Sequence, residues 1–122
     1  MPRFVLLEHD HPILHWDLML EWGDALRTWR LDRIPQQASA IEAVPLPDHR
    51  LAYLDYEGPV SGNRGSVRRV DSGTFSLIEP DAGCADGSLT FLLAGEQLQG
   101  RAVVTPSDSY DNAAATLHWE PS

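Results

Sequence analysis

Residues 9–21 read HDHPILHWDLMLE. From Leu14 onward the side chains alternate. Leu14, Trp16, Leu18 and Leu20 share one parity, and His15, Asp17, Met19 and Glu21 share the other. Successive side chains of a strand point to opposite faces, so such a segment buries one row and offers the other to a site. On a helix His15 and Asp17 would diverge by about 200°. The stretch is therefore read as a strand with a functional face.

The flanks extend the same reading. Residues 3–9 (RFVLLEH) form a first strand, and Asp10-His11-Pro12 is a turn signal. Residues 13–22 form the second strand, broken by Gly23-Asp24, and residues 26–31 (LRTWRL) a third. A hairpin of the first two strands brings His9 close to His15 and Asp17. Residues 41–46 (IEAVPL) read as a short strand that Pro45 and Pro47 make an edge or an irregular one. Residues 48–57 (DHRLAYLDYE) read as one or two helical turns capped by Asp48, with His49 and Tyr53 on one face. Strands follow at 66–70, 74–79, 88–94, 97–104 and 115–119. Asp71-Ser72-Gly73 and Gly95-Glu96 are the tightest turn signals between them. Residues 80–87 and 105–112 read as mobile loops. Many short strands, close turns and almost no helix predict a mainly β fold. The expected architecture is a small closed or nearly closed β-barrel of about eight strands with one or two short helical segments.

The chain has 122 residues, which fits a single domain over 1–122 with a real core. It has 18 acidic residues against 9 basic ones, a net charge of −9, which argues against broad electrostatic adhesion to nucleic acid. A nucleic-acid end held at one metal and a few local cations is compatible with that charge. Arg27, Arg30 and Arg33 cluster, as do Arg64, Arg68 and Arg69, either as a positive rim or as solvated charges. The lone cysteine, Cys84, excludes an internal disulfide and reads as an incidental thiol. No run is apolar enough to span a membrane and the N-terminus does not resemble a secretory signal, so a cytoplasmic setting is expected.

Three constellations offer chemistry. His9, His15 and Asp17 combine two imidazoles and a carboxylate on adjacent strands. That donor set suits first-row metals and leaves positions open for water or substrate. The competing reading is two ordinary strand histidines facing solvent; His11, in the turn, is a stray fourth donor. His49 with Tyr53 offers phosphate contact or proton transfer, although a surface histidine beside a half-buried tyrosine fits as well. Ser61-Gly62-Asn63-Arg64-Gly65 is a Gly-rich loop in which Arg64 could clamp an anion, or a plain turn. It lacks the P-loop frame, and no GxSxG, HExxH, CxxC pair or dinucleotide fingerprint occurs.

Taken in order, these segments resemble the 3′-phosphoesterase domain of bacterial DNA ligase D. That family carries F-V-x-x-x-H-D-x-x-x-x-L-H-x-D-x-R-L-E, and this chain has FVLLEHDHPILHWDLMLE at 4–21. A Trp-ending strand follows, here LRTW at 26–29. Then comes D-H-P-x-x-Y-x-x-F-E-G, here DHRLAYLDYEG at 48–58 before PVSGNRG. The terminal hairpin G-x-L-x-F-x-L-x-G-x-x-L-x-G is matched by GSLTFLLAGEQLQG at 87–100. The resemblance implies a β-barrel around a Mn²⁺ site that trims 3′ ends of DNA or RNA; Zn²⁺ and Co²⁺ suit the same donors. It places the metal ligands at His9, His15 and Asp17, the phosphate-contacting histidine at His49 and its tyrosine at Tyr53. A family lysine is answered by Arg33. Two family arginines are missing, with Met19 in place of one and Ile41 in place of the other. The family's N-terminal extension has no counterpart before Phe4. Arg30, Arg50 and Arg64 are the candidates to restore the lost charge.

Two functions follow as expectations. One is a metal-dependent phosphoesterase of DNA repair that removes a 3′-ribonucleotide or a 3′-phosphate. Its partners would be DNA or RNA-containing primer ends and the ligase or polymerase proteins of end joining. The alternative is a non-catalytic module that binds nucleic-acid ends or end-joining proteins through a degenerate site.

Overall fold

The computed structural model describes residues 2–78, 88–106 and 115–122. Nine antiparallel strands are ordered β1-β2-β3-β4-β9-β8-β7-β6-β5, and β6 also pairs with β1. The strands β1 (Arg3–His9), β2 (His15–Trp22), β3 (Ala25–Leu31), β4 (Ser39–His49), β6 (Ser66–Leu77), β7 (Leu89–Gly95), β8 (Gln99–Thr105) and β9 (Ala115–Pro121) thus close a barrel. The two-residue β5 (Gly58–Pro59) adds to β6 outside the ring. The expected small barrel is the observed one.

Alternation sorts the side chains as expected from Trp16 onward; Leu14, placed in the buried row, lies before β2 and is 53% exposed. Phe4, Leu6, Leu18, Leu20, Phe91 and Leu117 are among those filling the barrel. The opposite parity is not a wholly polar face. Val5, Leu7, Met19, Leu26, Leu54 and Val67 form a second apolar cluster on the outside of the barrel wall. It explains why FVLL is apolar at every position: both faces of β1 are covered.

Three elements differ from the sequence reading. Asp71-Ser72-Gly73 does not separate two strands. It lies within the 12-residue β6, which passes from pairing with β1 to pairing with β7. The register slips just before this tripeptide, at Val70, with Leu6 opposite Asp71 and Leu7 opposite Arg69, a bulge that bends the strand. The Asp71 carboxylate accepts the amides of Glu96, Gln97 and Leu98 at 3.0, 3.2 and 2.7 Å, so it organises the β7–β8 turn instead of making its own. A Cβ at Gly95 would collide with that carboxylate and with the Phe4 ring.

The second difference is β4. It runs for 11 residues, through both prolines. Among the described residues it pairs with β9 over 39–43, and Pro45 and Pro47 lie beyond that stretch. The third is the helix. β4 continues to His49, and only one 3-10 turn forms, Leu51–Leu54, after Arg50 with no side-chain cap from Asp48. Its Leu54 caps the second cluster. The loop expected at 80–87, with Cys84, and most of that expected at 105–112 lie outside the described residues. No helix among the described residues is long and apolar enough to cross a membrane.

Candidate metal centre

The β1–β2 hairpin places His9 directly opposite His15, with Asp17 two residues further along the same face. His9 Nδ1 lies 3.8 Å from one Asp17 oxygen and His15 Nε2 lies 3.3 Å from the other. One ligand atom from each residue falls within 4.8 Å of the others. His15 and Asp17 are buried, and His9 is half-buried.

Backbone carbonyls fix how the two rings are used. His9 Nε2 donates to Arg64 O at 2.8 Å, and His15 Nδ1 donates to Ile13 O at 2.8 Å. A carbonyl only accepts, so each of these nitrogens carries the proton. In the neutral ring, His9 Nδ1 and His15 Nε2 are then left as lone pairs facing Asp17. Such outer hydrogen bonds hold ligating histidines in one tautomer and orientation. His15 Nε2 and Asp17 Oδ1 are both buried and have no hydrogen-bond partner. Two acceptors facing each other at 3.3 Å repel unless a cation lies between them. The donor set fits a divalent metal on its own geometry.

The Gly-rich loop serves this arrangement. Asp10 Oδ1 accepts the Ser66 amide at 2.8 Å, and Gly65, at φ +75°, packs so tightly that a Cβ would strike Asp10 and His11. The loop thereby brings the Arg64 carbonyl to His9. The Arg64 guanidinium bonds Ser61 at its carbonyl (2.7 Å) and its hydroxyl (3.3 Å).

A cavity of about 430 Å³ opens over the trio. His49, Tyr53 and Arg64 line it with His9, His15 and Asp17, as do Met19, Arg30 and Arg50. His49 donates Nδ1–H to Pro47 O at 2.9 Å, and its ring meets Tyr53 edge-on at 5.8 Å. Arg33 is not brought in. Its side chain is 60% exposed and pairs with neighbouring Asp32 at 3.4 Å. Ile41 is fully buried inside the barrel, paired with Leu117, so position 41 faces away from the site. It is not a place from which an arginine reaches the cavity. Arg30, named in the sequence only among several cations, lies directly across from Asp17. The signal was present: a two-residue turn at Gly23-Asp24 pairs Trp22 with Ala25 and thereby Asp17 with Arg30.

The sequence model of the DNA ligase D 3′-phosphoesterase domain matches residues 7–105, which hold every residue of the cavity. This chain belongs to the DNA ligase D 3′-phosphoesterase domain family. It is also 35% identical, over 105 residues and 81% of its length, to the multifunctional non-homologous end joining protein LigD of Pseudomonas aeruginosa. The match covers 12% of that protein, so this chain spans a small part of its relative's length. In this ligase D phosphoesterase domain, the segment 48–58 supplies one cavity wall and the β1–β2 hairpin supplies the opposite one.

Proposed function

We propose that this chain is a metal-dependent phosphoesterase of end-joining DNA repair. It removes a terminal ribonucleotide or a 3′-phosphate from DNA or RNA-containing primer ends, beside the ligase and polymerase proteins of that process. Family membership supports the reading. The single observation that carries it is the pair of buried, unpartnered acceptors, His15 Nε2 and Asp17 Oδ1, with His9 Nδ1 beside them.

His9, His15 and Asp17 would hold Mn²⁺, with Zn²⁺ or Co²⁺ as substitutes. A bound divalent ion supplies Lewis acidity toward a phosphoryl oxygen and a more acidic water. Ile13 O and Arg64 O keep the two imidazoles turned toward the centre. His49, with Nδ1–H committed to Pro47, has Nε2 left to contact the phosphoryl or move a proton at the leaving oxygen. The Tyr53 hydroxyl is a donor on the same wall, and Arg64 a nearby cation. Arg33, paired with Asp32 away from the cavity, has no role in this reading.

A second reading, a non-catalytic end- or protein-binding module, is favoured by Met19, which lines the cavity with no donor where the family resemblance places an arginine. The two separate on one assay. Protein with Mn²⁺ is incubated with a primer-template carrying a 3′-ribonucleotide or a 3′-phosphate. The expected result is release of 3′-OH ends that EDTA abolishes. His15→Ala should lower the rate by about 10²–10³-fold, since a metal is worth several kcal/mol to such a reaction. Release equal to the mutant's on both substrates favours the binding module.

A further inference from the structure

The cavity holds three arginines, and they differ in what already occupies them. Arg64 is tied to Ser61 through its carbonyl and hydroxyl. Arg50 is exposed. Arg30 is half-buried, its Nε is inaccessible to solvent, and that Nε has no hydrogen-bond partner. Among the described residues no carboxylate lies in ion-pair range of it; Asp17, its cross-strand neighbour, faces His9 and His15 instead.

An N–H of a guanidinium withdrawn from water and left unpaired is costly, and such groups are normally met by an acceptor or an ordered partner. Directly opposed residues on an antiparallel pair project from the same face, so Arg30 rises beside Asp17 and from the metal trio's side of the barrel. It lines the main cavity and also a neighbouring one of about 160 Å³ beside Ile13, Leu14 and Val44, so it stands on the wall between them. Of the side chains around it, Met19 has no acceptor of strength and the Thr28 hydroxyl is given to Leu26 O at 3.1 Å, while Asp32 and Glu42, which line the smaller cavity with it, stand outside ion-pair range.

We infer that Arg30 is the phosphoryl-binding residue of this site, its planar fork taking the non-bridging oxygens of a phosphate mono- or diester whose phosphorus lies at the metal trio. The guanidinium that Met19 cannot supply from β2 is supplied from β3, across the hairpin. Arginine suits the task because its donors match two phosphate oxygens at once, which a lysine's single ammonium does not. The inference rests on the cavity being a phosphoester site, and the test separates the two.

Inorganic phosphate is titrated into the folded protein by calorimetry, first in EDTA and then with Co²⁺, whose visible absorption reports the metal centre. Arg30→Gln is expected to weaken phosphate binding about tenfold or more, as loss of a charge-assisted hydrogen-bonding partner does. Co²⁺ affinity and spectrum should stay within about twofold, because Arg30 is not a ligand. Arg101→Ala, on β8 and paired with Glu120 at 2.8 Å, should bind phosphate as wild type does. Arg30→Lys, which keeps charge but not the fork, should fall between, and it carries the test if the glutamine variant does not fold. Unchanged phosphate affinity in Arg30→Gln, no phosphate binding by wild type, or a parallel collapse of Co²⁺ binding would overturn the inference. Arg30-dependent phosphate binding without any 3′-end hydrolysis removes the proposed activity and leaves Arg30 as an anion site. Hydrolysis that Arg30→Gln retains in full removes Arg30 and leaves the activity.

Discussion

Asp17 and Asp71 are equally buried, each 3% exposed, and differ in what meets their carboxylates. Asp71 receives three amides of the β7–β8 turn and is satisfied. Asp17 faces two imidazole nitrogens, and one of its oxygens has no partner. The first is satisfied by the fold, and the second is the proposed ligand of a cation, so their substitutions should separate. Asp71→Ala should cost about 2–4 kcal/mol in denaturant unfolding, from orphaned amides and a lost charged acceptor. Asp17→Ala should leave the metal-free protein as stable as wild type or more so, because a repulsive contact is relieved. It should also abolish the rise in Tm that metal gives the wild type, worth about 2.7 kcal/mol at a hundredfold excess over Kd. A large loss of metal-free stability in Asp17→Ala would make Asp17 a structural carboxylate. The trio was legible because parity and the hairpin turn fix which side chains share a face. Parity does not say what a guanidinium meets, so Arg30 stood out from the other cations only in three dimensions.

The elements that were misread share a cause: residue types that signal interruption also serve in bent strands. Asp-Ser-Gly at 71–73 reads as a turn by composition, yet it pairs regularly with β1 just past a bulge at Val70, and from Gly73 onward β6 also pairs with β7. Pro45 and Pro47 read as strand breakers, yet both lie within β4, beyond its pairing with β9 among the described residues. The helix at 48–57 shrinks to Leu51–Leu54 because pairing of His49 with Leu26 carries β4 to that point. That short turn still matters to the site, since it sets Tyr53 beside His49 and seats Leu54 on the outer cluster. Leu54→Ala should destabilise by about 2–4 kcal/mol through loss of burial and the cavity left behind. Amide exchange should quicken at residues 51–54 before it does at the β7–β8 hairpin, whose contacts lie on the barrel's other side. Uniform quickening would mean that the outer cluster is not a separate layer.

At the scale of the molecule, period-two patterning and close turns sufficed to give a closed barrel, since eight strands with few helices have little other way to cover their edges. What patterning could not give is the second apolar layer, which places the metal trio outside the barrel under its own cover instead of in the lumen. The net charge of −9 sets how such a surface can hold nucleic acid. Binding of a primer end should depend weakly on salt, with a log–log slope between about −1 and −2, the release expected from one or two neutralised phosphates. A slope near −6 would require an extended basic interface that this chain's charge opposes. The proposed function requires a cation among His9, His15 and Asp17. Crystals equilibrated with Mn²⁺ and measured at a wavelength where manganese scatters anomalously should show one ion within about 2.0–2.3 Å of His9 Nδ1, His15 Nε2 and an Asp17 carboxylate oxygen. No anomalous density there, or an ion held by other residues, would contradict the account.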